Sequence, residues 1–302
     1  MDYINLLRTV FDAYLTQMNS GGLEPSASYL LLYDFEEAID ARHWRFDGGP
    51  IDVNGRGIIN DMVKSELREL TNDLNQWHQS LQRWYSWNKV LAPYNNDEIK
   101  TWHLLREFLV PLAFYCLFQP SASRDRFTFV ATNAMHQVRL MIERGYQDYL
   151  EGEPKTPKEK LKYLNRRKKE ERLAKLISIW IEGTEFMTLL RTIDDDDYKK
   201  ETSDYRNLHS HIIGPRLGLG HIRFVVRSVE ESTKMIKHPD SIYRKTPTGK
   251  MVASYGFGEG TPPLDLEKAR LANLEQYQQA RRCYESYRKL LEAGLEKMPL
   301  AR

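Results

Sequence analysis

The chain has 302 residues, long enough to bury a sizeable core without help from metals or disulfides. A hydrophobic fraction of 41% and a charged fraction of 28% are those of a soluble globular protein, and a formal net charge of +2 excludes a generally basic polyanion binder, so any nucleic-acid site has to be local. Cys116 and Cys283 lie far apart without metal-ligand spacing, which excludes a disulfide scaffold and predicts two free thiols in a reducing cytoplasmic setting.

The N-terminus lacks a basic stretch followed by an apolar core, so no signal peptide is expected. Ile4, Leu7, Val10, Phe11 and Tyr14 recur at helical spacing and predict a helix from Tyr3 to Met18, closed by Asn19-Ser20-Gly21-Gly22. A second helix is predicted over Ser26–Trp44. The stretch from Asp47 to Gly57 is rich in turn formers and reads as a loop. A long helix then runs from Ile58 to about Leu91. Its stripe of Trp77, Leu81, Trp84, Trp87 and Leu91 has the spacing of a buried face, and core packing is preferred over base stacking. His78, His103 and His136 sit singly in helices and read as structural.

Ala92-Pro93-Tyr94-Asn95-Asn96 marks a boundary, dividing an N-terminal helical region (1–92) from a second helical domain (93–302), unless the two are continuous. The most apolar run, Phe108 to Phe118, contains Pro111 and is far shorter than the roughly 20 residues of a membrane span. A kink or break is expected at that proline. One helix is predicted over Asp97–Phe118, ending at Gln119-Pro120-Ser121, and another over about Arg124–Leu150.

Between Lys155 and Lys175 there are ten basic residues against three acidic ones. Such a run, with Arg166, Arg167, Lys168 and Lys169 at its centre, either neutralises phosphates or is a solvated connector and helix start. Leu173, Ile177, Trp180, Met187 and Leu190 mark a further helix ending near Ile193. The following Asp194-Asp195-Asp196-Asp197 lacks the spacing of a cation loop and reads as a solvated turn or helix N-terminus. Gly214 to Gly220 holds three glycines near Arg216, in neither a P-loop nor a dinucleotide pattern, and reads as a helix end and turn. Ile242–Phe257 reads as a β-hairpin turning at Thr246-Pro247-Thr248-Gly249, inserted before a closing helix that runs from Leu264-Asp265 to about Met298.

The chemistry concentrates in Ser203-Asp204-Tyr205-Arg206-Asn207-Leu208-His209-Ser210-His211. An arginine is always charged and offers a planar fork to phosphate oxygens, while histidine exchanges a proton near neutrality. On an ideal helix Tyr205, Leu208 and Ile212 share an apolar face with His209 at its border, and Arg206 and His211 flank that face on opposite sides. A second copy of the segment is the most economical way to bring the two groups onto one phosphate. Asn207 lies four residues before His211, on its side of the helix, placed to orient it or to touch substrate.

The pattern Arg206-Asn207-x-x-x-His211 resembles the signature of the HEPN superfamily, small all-helical domains of which many are metal-independent ribonucleases in toxin, antiphage and RNA-processing systems. The resemblance covers about the last two thirds of the chain. It implies an all-α bundle in which the helices over 97–118 and 124–150 form the first pair, with extra N-terminal helices and the small hairpin added. It further implies cleavage of RNA through its own 2′-hydroxyl without a cofactor. Arg206 and His211 would be catalytic, with Asn207 assisting, while His209 and Arg166 to Lys169 would touch substrate or serve structure. A homodimer with the active site at its interface is implied, with an antitoxin or defence-system partner and no membrane. Two other readings are a non-catalytic HEPN-type module that binds RNA or protein, and a structural helical adaptor.

Overall fold

A computed structural model describes residues 3–19, 30–44, 58–223, 225–258 and 260–300. The chain divides into two compact units, Met1–Arg206 with Leu266–Arg302, and Asn207–Asp265. The first is helical; the second carries the one two-stranded antiparallel sheet among the described residues.

Three long helices form the core of the first unit: α3 (Ile58–Leu91), α5 (Val110–Ile142) and α10 (Leu266–Glu296), each packed against the other two. The apolar stripe explains α3. Trp77, Leu81 and Trp84 are fully buried and Trp87 and Leu91 nearly so, each side chain contributing about 1.5–3 kcal/mol of transfer free energy. Trp87 is stacked between Tyr14 of α1 (Tyr3–Asn19) and Phe108, with ring centroids 4.3 and 4.2 Å away. The aromatic stripe is therefore core. The predicted loop over 47–57 lies outside the described residues.

The predicted helix over Ser26–Trp44 is reduced, among the described residues, to α2 (Glu36–Asp40). Leu31 is held non-helical because its backbone N–H donates to Asn75 Oδ1 at 2.8 Å and its carbonyl accepts from Asn75 Nδ2 at 3.1 Å. A side-chain amide on α3 has taken the place of helical partners.

Pro111 and Pro120 act differently from each other. After α4 (Glu98–Leu104), capped by Asp97 accepting from the Lys100 N–H at 3.0 Å, the turn Leu105–Leu109 is π-helical. Val110 N–H there reaches back five residues to the Leu105 carbonyl, so the ladder widens just before Pro111. At Pro120 no break occurs. The N–H that proline lacks leaves the Cys116 carbonyl without its helical donor, and Asn273 Nδ2 on α10 fills that role at 2.8 Å. The segments predicted as two separate helices thus merge into α5, which passes through Pro120 and ends at Ile142. They do not form the pair of separate helices that the resemblance implies. Beyond Ile142 the chain folds back on α5, where His136 bonds Tyr146 Oη at 2.9 Å and Asp148 at 2.8 Å.

The helix predicted from Leu173 to Ile193 is two: α6 (Arg166–Ile177) and α7 (Glu182–Arg191). Gly183 sits so close to the end of α6 that a Cβ on it would lie 2.6 Å from the Ile177 carbonyl oxygen, which makes the sharp turn possible only for glycine. Short α8 (Asp196–Glu201) and α9 (Tyr205–His211) follow.

In the second unit β1 (Val225–Lys237) pairs antiparallel with β2 (Tyr243–Phe257). The hairpin exists, but its turn is His238–Ser241, closed by Ser241 N–H to the His238 carbonyl at 2.8 Å. Thr246-Pro247-Thr248-Gly249 lies inside β2 at a register shift opposite Glu231–Thr233. In a two-stranded ribbon every strand is an edge, so Pro247 is tolerated beside a bulge. Bridges Ile222–Thr261 and Leu217–Leu264 close the ribbon's base.

Candidate active site

The motif begins with a sharp redirection of the chain. Ser203 and Asp204 both have left-handed backbones, φ +52° and +47°, at a cost of roughly 1–2 kcal/mol each for non-glycine residues. Tyr205 then anchors the first turn of α9: it is buried, its ring meets Phe114 of α5 edge-on at 6.3 Å, and burial pushes its hydroxyl pKa up to about 12.

Arg206 is half-buried and belongs to the helical unit, whereas Asn207, His209 and His211 are exposed and belong to the second unit. The division between units falls inside the motif. The expected apolar face is only partly realised, since Leu208 is half-buried and Ile212 is 71% exposed. The returning chain passes close to His209: a Cβ added to Gly214 would lie 3.0 Å from His209 Nδ1 and 3.2 Å from its backbone nitrogen, so a side chain there would have to displace its neighbours by a few tenths of an ångström. His211 closes α9 with an open imidazole, followed by exposed Ile212 and Ile213. An exposed imidazole can exchange a proton near neutral pH, and a guanidinium can bind a phosphate.

The basic run spans the connector before α6, which holds exposed Lys155, Lys158, Lys160 and Lys162, and α6 itself, which holds the other six cations. Asn165 caps the helix by accepting from the Lys168 N–H at 3.0 Å. Arg166 faces inward, bonding Asp125 (2.9 and 3.1 Å), Asp194 (2.5 Å) and the Ser121 hydroxyl (2.6 Å) and carbonyl (3.2 Å). Its partners are intramolecular carboxylates. Arg167 is exposed and pairs with Glu171 at 2.9 Å; Lys168 is exposed; Lys169 sits over the Tyr163 ring at 5.6 Å.

The aspartate run divides its labour. Asp194 is buried as the partner of Arg166, Asp195 caps α8 by accepting from the Tyr198 N–H at 2.9 Å, and Asp196 holds Lys199 at 3.0 Å. An open pocket of about 530 Å³ lies between α8 and α10, lined by Asp195, Asp197, Glu201, Glu275 and Gln279 with Lys200. In the sequence this acidic pocket is signalled by the aspartate run alone. Among the described residues no group of three or more His, Cys, Asp or Glu is arranged to hold a metal ion, and no helix is long and apolar enough to cross a membrane. Cys116 and Cys283 are both free and buried, and burial pushes both thiol pKa values up.

No protein-family model, curated protein or solved structure matches this chain.

Proposed function

We propose that the chain is a HEPN-type endoribonuclease that cuts RNA through the substrate's own 2′-hydroxyl, as a homodimer that brings two copies of the motif together. The observation that carries the reading is the exposure of Asn207 and His211 on the same short helix as the half-buried Arg206, with the first turn of that helix anchored by Tyr205.

In this reaction the 2′-oxygen attacks phosphorus as its proton leaves to a base, and the 5′-oxygen departs as it takes a proton from an acid. The products are a 2′,3′-cyclic phosphate and a 5′-hydroxyl. His211 from each of two copies supplies the base and the acid, since an imidazole serves either role near neutral pH. Arg206 neutralises charge developing on the non-bridging oxygens, a contribution of several kcal/mol in a fixed site. Asn207 holds His211 or a substrate hydroxyl. Exposed Ile212 and Ile213 beside the imidazole supply apolar surface for the second copy. A toxin or antiphage setting, with a restraining partner, comes from the resemblance alone.

The test is end-group analysis of the products from single-stranded RNA in excess EDTA. The reading expects cyclic phosphate ends and no cutting where a 2′-deoxynucleotide replaces the residue 5′ to the cleaved bond. Products with 5′-phosphates, or cutting of the deoxy-substituted strand, would contradict it. The competing reading, a binding module without catalysis, is favoured by the openness of the His211 surface in a single chain, and it expects RNA affinity with no products at all.

A further inference from the structure

Positive charge is unevenly distributed along the chain. Residues 207–265 hold eight Lys and Arg against five Asp and Glu, and four of the eight histidines, so this short unit is more basic than the whole protein at +2. Most of that charge is on the ribbon, where nearly every residue of both strands is exposed.

The register sorts the ribbon's side chains onto two faces. Directly paired residues of an antiparallel ladder share a face, and residues two apart along a strand share it too. Tyr255 pairs with Arg227, Phe257 with Val225, Tyr243 with Lys237 and Met235 with Lys245. Tyr243, Tyr255, Phe257, Arg227, Lys237 and Lys245 therefore fall on one face, and the rings are 58, 68 and 85% exposed. Glu231 is the acidic residue of that face, and its carboxylate accepts the Gly249 N–H at 2.9 Å. On the opposite face Arg244 is paired with Asp240 at 2.6 Å, and no aromatic residue occurs among the paired positions.

We infer that this aromatic and basic face of the β1–β2 ribbon docks single-stranded RNA, its rings stacking on unpaired bases while its cations hold phosphates. Rings in a duplex are already stacked on one another, so exposed side-chain rings select unpaired bases. Tyr255 and Phe257 are two residues apart, about 7 Å along an extended strand, which separates two stacking positions along a backbone. A second copy of the ribbon is a poorer occupant, because apposing two such faces brings cation against cation. The choice of RNA over DNA rests on the nuclease reading; the ring and charge pattern does not.

The test uses the full chain carrying His211→Ala, so that substrate stays intact, with labelled oligouridine and the same strand annealed to its complement. Affinity is measured as a function of salt for this parent, for a Tyr243→Ala, Tyr255→Ala, Phe257→Ala variant and for an Arg227→Gln, Lys237→Gln, Lys245→Gln variant. Thermal melting verifies folding, and the charge variant keeps the test open should the ring variant not fold. Expected results are preference for the single strand, affinity falling on the order of ten-fold per ring removed, and a salt slope reduced by about 2 in the charge variant. Parent-like binding by both variants, no single-strand binding by the parent, or loss of self-association with unchanged RNA affinity would overturn the inference. If wild type cuts no RNA while the ribbon variants lose binding, the nuclease reading falls and the ribbon stands. If wild type cuts while the variants bind normally, the reverse holds.

Discussion

Asn273 is fully buried, and all of its side-chain bonds cross between elements. Its Oδ1 accepts from Trp77 Nε1 at 2.8 Å, and its Nδ2 donates to the Cys116 carbonyl at 2.8 Å and the Tyr198 hydroxyl at 2.9 Å. Asn273→Ala strands two buried groups, the Trp77 N–H and the Cys116 carbonyl, at about 1–3 kcal/mol each, while the Tyr198 hydroxyl keeps its bond to the Leu117 carbonyl at 3.3 Å. Denaturant melts should show a loss of at least about 2 kcal/mol; a loss under about 1 kcal/mol would mean that the two groups find other partners. Glu66 gives the pH-dependent case. One carboxylate oxygen accepts from Asn133 at 2.7 Å; the other is buried without a hydrogen-bond partner among the described residues, and burial raises the pKa. A carboxyl raised by folding supports stability below its unfolded pKa and loses that support as pH rises through its folded value. Glu66→Gln should therefore melt close to wild type near about pH 4 and above it near about pH 7; a pH-independent difference would contradict this. Residue types and spacing made Arg206, Asn207 and His211 visible before folding. They could not reveal the left-handed Ser203 and Asp204 or the Tyr205 anchor on Phe114, because these depend on a partner helix far away in the chain.

At the scale of elements, strong periodicity made α1, α3 and α10 legible almost to the residue. Two of the misses share a cause: a distant side chain replaced a local signal. Pro120 looks like a helix end until Asn273 supplies the missing donor, and Leu31 leaves helical geometry because Asn75 binds both its backbone groups; Pro247 is a separate case, a turn-like residue at a register shift inside a strand whose turn is His238–Ser241. The Pro120 account is testable by a double-mutant cycle. Pro120→Ala restores the helical N–H for Cys116, so Asn273→Ala should cost less in that background, by about 1 kcal/mol. Strict additivity would show that Asn273 does not serve the Pro120 gap. The basic run is equally divided by structure. Arg166→Ala leaves Asp194 buried without its cation and should destabilise by about 3 kcal/mol, whereas Lys168→Ala on the exposed side of α6 should change stability by less than about 0.5 kcal/mol. Thermal melting of both variants, read before any RNA assay, separates a fold defect from a binding defect.

For the whole molecule, a single chain leaves Asn207 and His211 exposed, and the account asks a second copy to complete the site. Sedimentation equilibrium should find a dimer, and Ile212→Asp with Ile213→Asp should weaken it and lower cleavage together; a monomer that cuts at full rate would remove the dimer from the mechanism. The most direct measurement is cleavage of labelled single-stranded RNA and tRNA in excess EDTA by wild type and by His211→Ala, with folding of both verified. The account predicts cutting by wild type and a loss of at least about 100-fold in the variant. Equal cutting by the two, or none by a folded wild-type dimer, would contradict it.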